Sequence, residues 1–132
     1  MITGVIALLA GESTINTYVS SRVYANHAPE KAAFPYIIVT QLDSEEYKSF
    51  DDTGDLRSLT FDIDCKAERA LTAAAVADAV RAYIQDYSGT AGDYTIGAVL
   101  LNSETHSYEP PQDGSERGVH VVTLDLDVQY NP

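Results

Sequence analysis

The sequence predicts an α+β fold with two layers, a four-stranded, mainly antiparallel sheet of two β-hairpins covered by a long helix and a short N-terminal helix. Three observations predict it. Apolar and polar residues alternate over positions 59–65 and again over 122–128, the period of a half-buried strand. Between them, residues 68–87 switch to helical spacing. Clusters of turn-forming residues then divide the strands into pairs. At 132 residues the chain has the size of one domain, expected to span 1–132, and can bury a core without staples.

In chain order, Ile2, Val5, Ile6, Leu8 and Leu9 give residues 2–10 an apolar helical face, with Gly11 as the stop. The first basic residue is Arg22, so this stretch lacks the positive start of a signal peptide, and it is too short to span a membrane. Residues 12–34 read as irregular or as a short helical turn. Pro35 suits the first position of a strand, and Tyr36-Ile37-Ile38-Val39-Thr40 is β-branched and aromatic. The stretch 43–55 is sharply acidic, with Asp43, Glu45, Glu46, Asp51, Asp52 and Asp55 against Lys48. Its Asp52-Thr53-Gly54-Asp55 has turn chemistry, which predicts a mobile hairpin tip.

In the next strand Leu59, Phe61, Ile63 and Cys65 face one way and Thr60, Asp62 and Asp64 the other. Leu71, Ala75, Val76, Ala79, Val80, Tyr83, Ile84 and Tyr87 then form one helical stripe. Its many alanines favour the helix and let it lie close to a sheet. Ser88-Gly89 ends it, and Gly92-Asp93 turns the chain again. A third strand is expected over 94–101, extending toward His106, followed by a polar hairpin loop at 110–118. The last strand, 119–128, points Val122, Leu124, Leu126 and Val128 inward and Thr123, Asp125 and Asp127 outward.

Composition excludes several function classes. Eight Lys and Arg stand against 20 Asp and Glu, a net charge of −12, and no basic run exists to hold phosphates or an anionic membrane. Cys65 is the one cysteine and sits in an apolar alternation, so it reads as a small buried hydrophobe. His27, His106 and His120 fall on three different elements without metal-binding spacing. Neither a nucleophile elbow nor a phosphate-cradling loop is present. An EF-hand starting at Asp51 fails, because Leu56 and Asp62 stand where Gly and Glu are required. The residues therefore propose no catalytic, cofactor or metal site.

Several segments together resemble a known family. They are Arg22-Val23-Tyr24 with a following Pro29 loop, Phe34-Pro35-Tyr36-Ile37-Ile38-Val39, and Phe61-Asp62-Ile63-Asp64 running into the helix 73–81. Tyr108-Glu109-Pro110 and the late Arg117 complete the set. In this order and spacing, over roughly residues 5–129, the chain resembles the bacteriophage tail-completion proteins, or tail terminators, of long non-contractile tails. The resemblance implies a structural, non-enzymatic virion protein made in the host cytoplasm and placed at the head-proximal end of the tail. It also implies a six-subunit ring that caps the tail tube, with the major tail tube protein and the head connector as partners. DNA would pass through without tight binding. A head-to-tail stopper or other minor tail protein is the alternative, and a small metal-dependent hydrolase a more distant one.

Asp62 and Asp64 on one strand, with Asp125 and Asp127 on another, form the most informative constellation. Each pair is spaced by two and so projects from one face of its strand. Such a face is solvated, or lines an acidic ring lumen, or forms an oxygen cage for a cation, or, last, serves general acid/base catalysis, for which no nucleophile or third group stands at a useful offset. The lumen reading makes these four the pore-lining candidates, because a channel that must release DNA should repel phosphate. Nine tyrosines and no tryptophan suit protein contacts. Tyr18, Tyr24, Tyr47 and Tyr108, with Asp51 and Asp52 of the acidic stretch, are the interface candidates.

Overall fold

The computed structural model describes residues 2–29, 32–48, 55–85, 87–91, 94–110 and 118–131, of which 43–48, 55–56 and 131 are described by their backbone. Helices α1 (Ile2–Gly11) and α2 (Ser13–Val19) open the chain. Strands β1 (Val23–Ala25), β2 (Tyr36–Lys48) and β3 (Asp55–Ala67) follow, then helix α3 (Ala70–Ile84). The chain closes with β4 (Gly89–Ala91), β5 (Tyr94–Glu109) and β6 (Val119–Asn131). All six strands join one mixed sheet in the order β1-β2-β3-β6-β5-β4. The β1–β2 pairing is parallel and the others are antiparallel.

This corrects the expected four-stranded sheet under two helices. The two predicted hairpins exist, as β2–β3 and β5–β6, and they form the centre of the sheet. Each margin carries one further strand of three residues, too short to show a period of two. A third helix lies in the stretch expected to be irregular or a single helical turn. Ile15 and Val19 are its buried residues, four apart on one face, and Glu12 caps it by accepting from the Thr14 N–H at 3.3 Å. It ends where Ser20 turns left-handed, with φ of 49°.

The acidic stretch also differs from the expected loop. Backbone pairing runs from Tyr36↔Lys66 to Lys48↔Asp55, with a bulge between Gln41 and Asp43, so residues 43–48 and 55 are strand. Residues 49–54 lie outside the described part of the chain.

The core fills the space between the three helices and one face of the sheet. Leu59, Phe61, Ile63 and Cys65 of β3 enter it beside Val122, Leu124, Leu126, Val128 and Tyr130 of β6, as the alternation predicts. Leu9, Ile15, Val76, Val80 and Ile84 meet them from the helices. No polar or charged residue is buried among the described residues. Helix α3 buries Val76, Val80 and Ile84 of the expected stripe and packs Ala79 and Tyr83 against the core, with Tyr87 just past its end, but it turns Leu71 outward. Its buried residues are Ala73, Val76, Ala77, Val80 and Ile84, while Leu71 is 85% exposed. Nine residues make about two and a half turns, so Leu71 lies opposite Val80 and cannot share its face. Helix α1 reaches the sheet margin through Gly4, where a β-carbon would come within 2.8 Å of the Ala91 carbonyl oxygen of β4.

Candidate functional site: an acidic ladder on the open face of the sheet

The face of the sheet opposite the core carries the four predicted aspartates, and the register decides what each one meets. β3 and β6 pair so that Thr60 lies across from Asp127, Asp62 from Asp125, and Asp64 from Thr123. The outer two rungs are hydroxyl–carboxylate pairs. Thr60 Oγ1 donates to Asp127 Oδ1 at 2.9 Å, and Thr123 Oγ1 donates to Asp64 Oδ1 at 2.6 Å. The central rung is two carboxylates. Directly opposed side chains in such a pair have β-carbons about 4.5–5.5 Å apart, a spacing at which like charges destabilise. Asp125 Oδ1 is buried and meets no hydrogen-bond donor among the described residues. Burial pushes the Asp62 carboxyl up from its ordinary value, and the neighbouring charges of Asp125 and Asp64 push it further.

Thr40 of β2 and Ser103 of β5 stand at the two ends of the Asp62–Asp125 row. At one end of the face Lys66 reaches Glu109 at 3.4 Å. The ladder is therefore a partly buried negative strip bordered by hydroxyl groups. It has the wrong sign to hold an anion. Among the described residues, no group of three His, Cys, Asp or Glu side chains is placed to hold a metal ion.

Beyond the ladder the sequence left several contacts unread. Tyr24, Phe34 and Tyr36 form an aromatic cluster, with ring centroids 5.9 Å apart for Tyr24–Tyr36 and 5.1 Å for Phe34–Tyr36. Arg22 fastens the loop beside it, donating from Nε to the Pro35 carbonyl at 3.0 Å and from Nη2 to that of Phe34 at 3.4 Å. An open cavity of about 230 Å³ adjoins this cluster, lined by Phe34, Pro35, Ala67, Glu68, Arg69 and Thr72. The two segments that meet here are Arg22-Val23-Tyr24 and Phe34-Pro35-Tyr36, and their joint occurrence was the signal that could have found the cluster. On β5, Glu104 holds Arg81 of α3 at 3.6 Å and His106 at 3.1 Å, on a partly exposed surface.

The interface candidates are scattered. Tyr18 is 38% exposed on α2, and Tyr108 is 52% exposed on β5 with its ring against His120 at 4.8 Å. Tyr24 is engaged by Tyr36. The Tyr47 side chain and both Asp51 and Asp52 lie outside the described residues. No helix among the described residues is long and apolar enough to cross a membrane.

The fold and its open face define a protein built on one long mixed sheet with a polar, carboxylate-bearing surface. The sequence model of the tail completion protein gp17 family matches residues 3–130, so the chain belongs to that family and is a tail protein of a virion. A search of curated proteins finds no match. Among solved structures, the chain is similar to a component of the virion of a native gene transfer agent particle, with a TM-score of 0.68 and 17% identity. That similarity covers 97% of this chain and 92% of the other, and it shows a shared fold.

Proposed function

We propose that the chain works by binding and not by catalysis, as a ring that caps the tail tube and joins it to the head connector. Six copies form the ring, with the Asp62, Asp64, Asp125 and Asp127 face turned toward its lumen. The family membership over nearly the whole chain supports the tail role. The observation that carries the lumen reading is the gathering of all four aspartates onto one contiguous face. DNA carries one charge per about 1.7 Å of axis, so a negative wall lets it slide where a basic one would hold it.

Imaging purified tail tubes by negative stain, with and without added protein, tests the capping role. A ring at one end of each tube is expected, and tubes that go on growing with bare ends would overturn it. For the lumen, replacing all four aspartates with lysine should leave tails that assemble but release DNA poorly. Normal DNA delivery by that variant would sink the assignment.

A further inference from the structure

β5 pairs with β4 only at Tyr94–Ile96, through the short register Gly89↔Ile96 to Ala91↔Tyr94. From Gly97 to Glu109 it has β6 on one side and, among the described residues, no strand on the other. Both of its register shifts come early, between Ile96 and Ala98 and between Leu101 and Ser103. Ser103 to Glu109 is then seven residues in unbroken register with Asp125 to Val119, every one of them exposed. Natural edge strands are blunted by bulges, prolines or lysines, and this stretch contains none of the three.

The opposite margin of the sheet also leaves an edge without a second neighbour among the described residues, although this one ends on Lys48. β1 covers only Ile37 to Val39 of β2, and the Asn26 N–H closes that contact on the Val39 carbonyl at 2.9 Å. Past the bulge at Gln41, Asp43 to Lys48 runs six residues in regular register with Thr60 to Asp55, with no second neighbour among the described residues. The two free stretches are close in length, seven residues and six. They also lie on opposite sides of one sheet, so a chain cannot pair its own. Each copy offers one edge in each direction, which is the arrangement of a head-to-tail contact that closes into a ring.

We infer that the Ser103–Glu109 edge of β5 accepts the Asp43–Lys48 edge of β2 from a second copy of this chain, so that the sheet continues from subunit to subunit. The inference rests on the ring reading above and names the surface through which the ring closes. Backbone hydrogen bonds between the two edges make the contact.

Glu46 and His106 stand at the middle of their stretches, so they come together whichever way the strands run. Glu46→Cys and His106→Cys proteins, mixed on tail tubes and treated with a short bismaleimide, should give a dimer band. Either variant alone should give none. In the wild type, amide hydrogen exchange over Ser103 to Glu109 should slow by at least about tenfold on assembly. Rings without the mixed cross-link and without that slowing would overturn the edge pairing and leave the ring standing. A cross-link from His106→Cys to itself or to the tube protein would replace the second copy's β2 with another occupant. Absence of any ring would remove both readings.

Discussion

Asp62 and Asp125 face each other across the middle of the sheet, flanked on both sides by threonine–carboxylate bonds. The opposition costs stability at neutral pH. Because the folded state raises the Asp62 carboxyl, the native chain holds that proton more tightly than the unfolded chain does. Below the ordinary carboxylate range both states are protonated and there is no penalty. It grows as pH rises through the raised value and is constant above it. Asp62→Asn should therefore stabilise the protein at pH 7 by roughly 0.2–1 kcal/mol. The gain should fade as the pH drops toward about 4, where carboxylates protonate. Urea denaturation across this range measures it, and a gain that persists in acid would contradict the account. At this scale the spacing of each aspartate pair was legible, since a period of two needs only one strand. Which aspartate meets which partner was not. Asp62 and Asp125 are far apart in sequence, and a slip of one residue would move every side chain to the other face.

For the elements, the phase of α3 is the sharpest test. Leu71 points away from the sheet, so Leu71→Glu should change stability by no more than about 0.5 kcal/mol. Ile84 is 1% exposed in the core, and Ile84→Ala should cost about 2–5 kcal/mol by thermal or chemical denaturation. Equal effects at the two sites would mean the helix is rotated from its described position. Gly4 makes a second test, because alanine is better than glycine in a helix by about 1 kcal/mol. Against the Ala91 backbone the added methyl has no room, and Gly4→Ala should be net destabilising, by roughly 1 kcal/mol once overpacking is set against propensity. The two central hairpins and the existence of α3 were readable because each spans enough residues to show its period. β1 and β4 were not, because three residues are placed by the neighbour they pair with. Val76, Val80 and Ile84 of the expected stripe hold, but its first residue was misplaced: alanine is compatible with either side of a helix, so Ala73 and Ala77 did not correct the lead of Leu71.

Charge governs the molecule as a whole. Each copy brings −12, so copies repel until salt intervenes. Screening shortens from about 30 Å at 0.01 M to about 3 Å at 1 M, and raising ionic strength should therefore promote oligomers in sedimentation experiments. Dissociation on adding salt would show that ion pairs, rather than backbone pairing, hold the copies together. The family was legible at this scale from the order of segments such as Phe34-Pro35-Tyr36 and Tyr108-Glu109-Pro110, which pack at the aromatic cluster and at the end of β5. Strand order was not, because nothing local dictates that β6 inserts between β3 and β5.

Cys65 lies wholly inside the core, and burial pushes its thiol far above the ordinary range. The native chain is thus chemically silent toward thiol reagents while it stays folded. A fluorophore or spin probe attached through any engineered surface cysteine would report from that position alone, with no need to disturb the packing around Phe61 and Leu124.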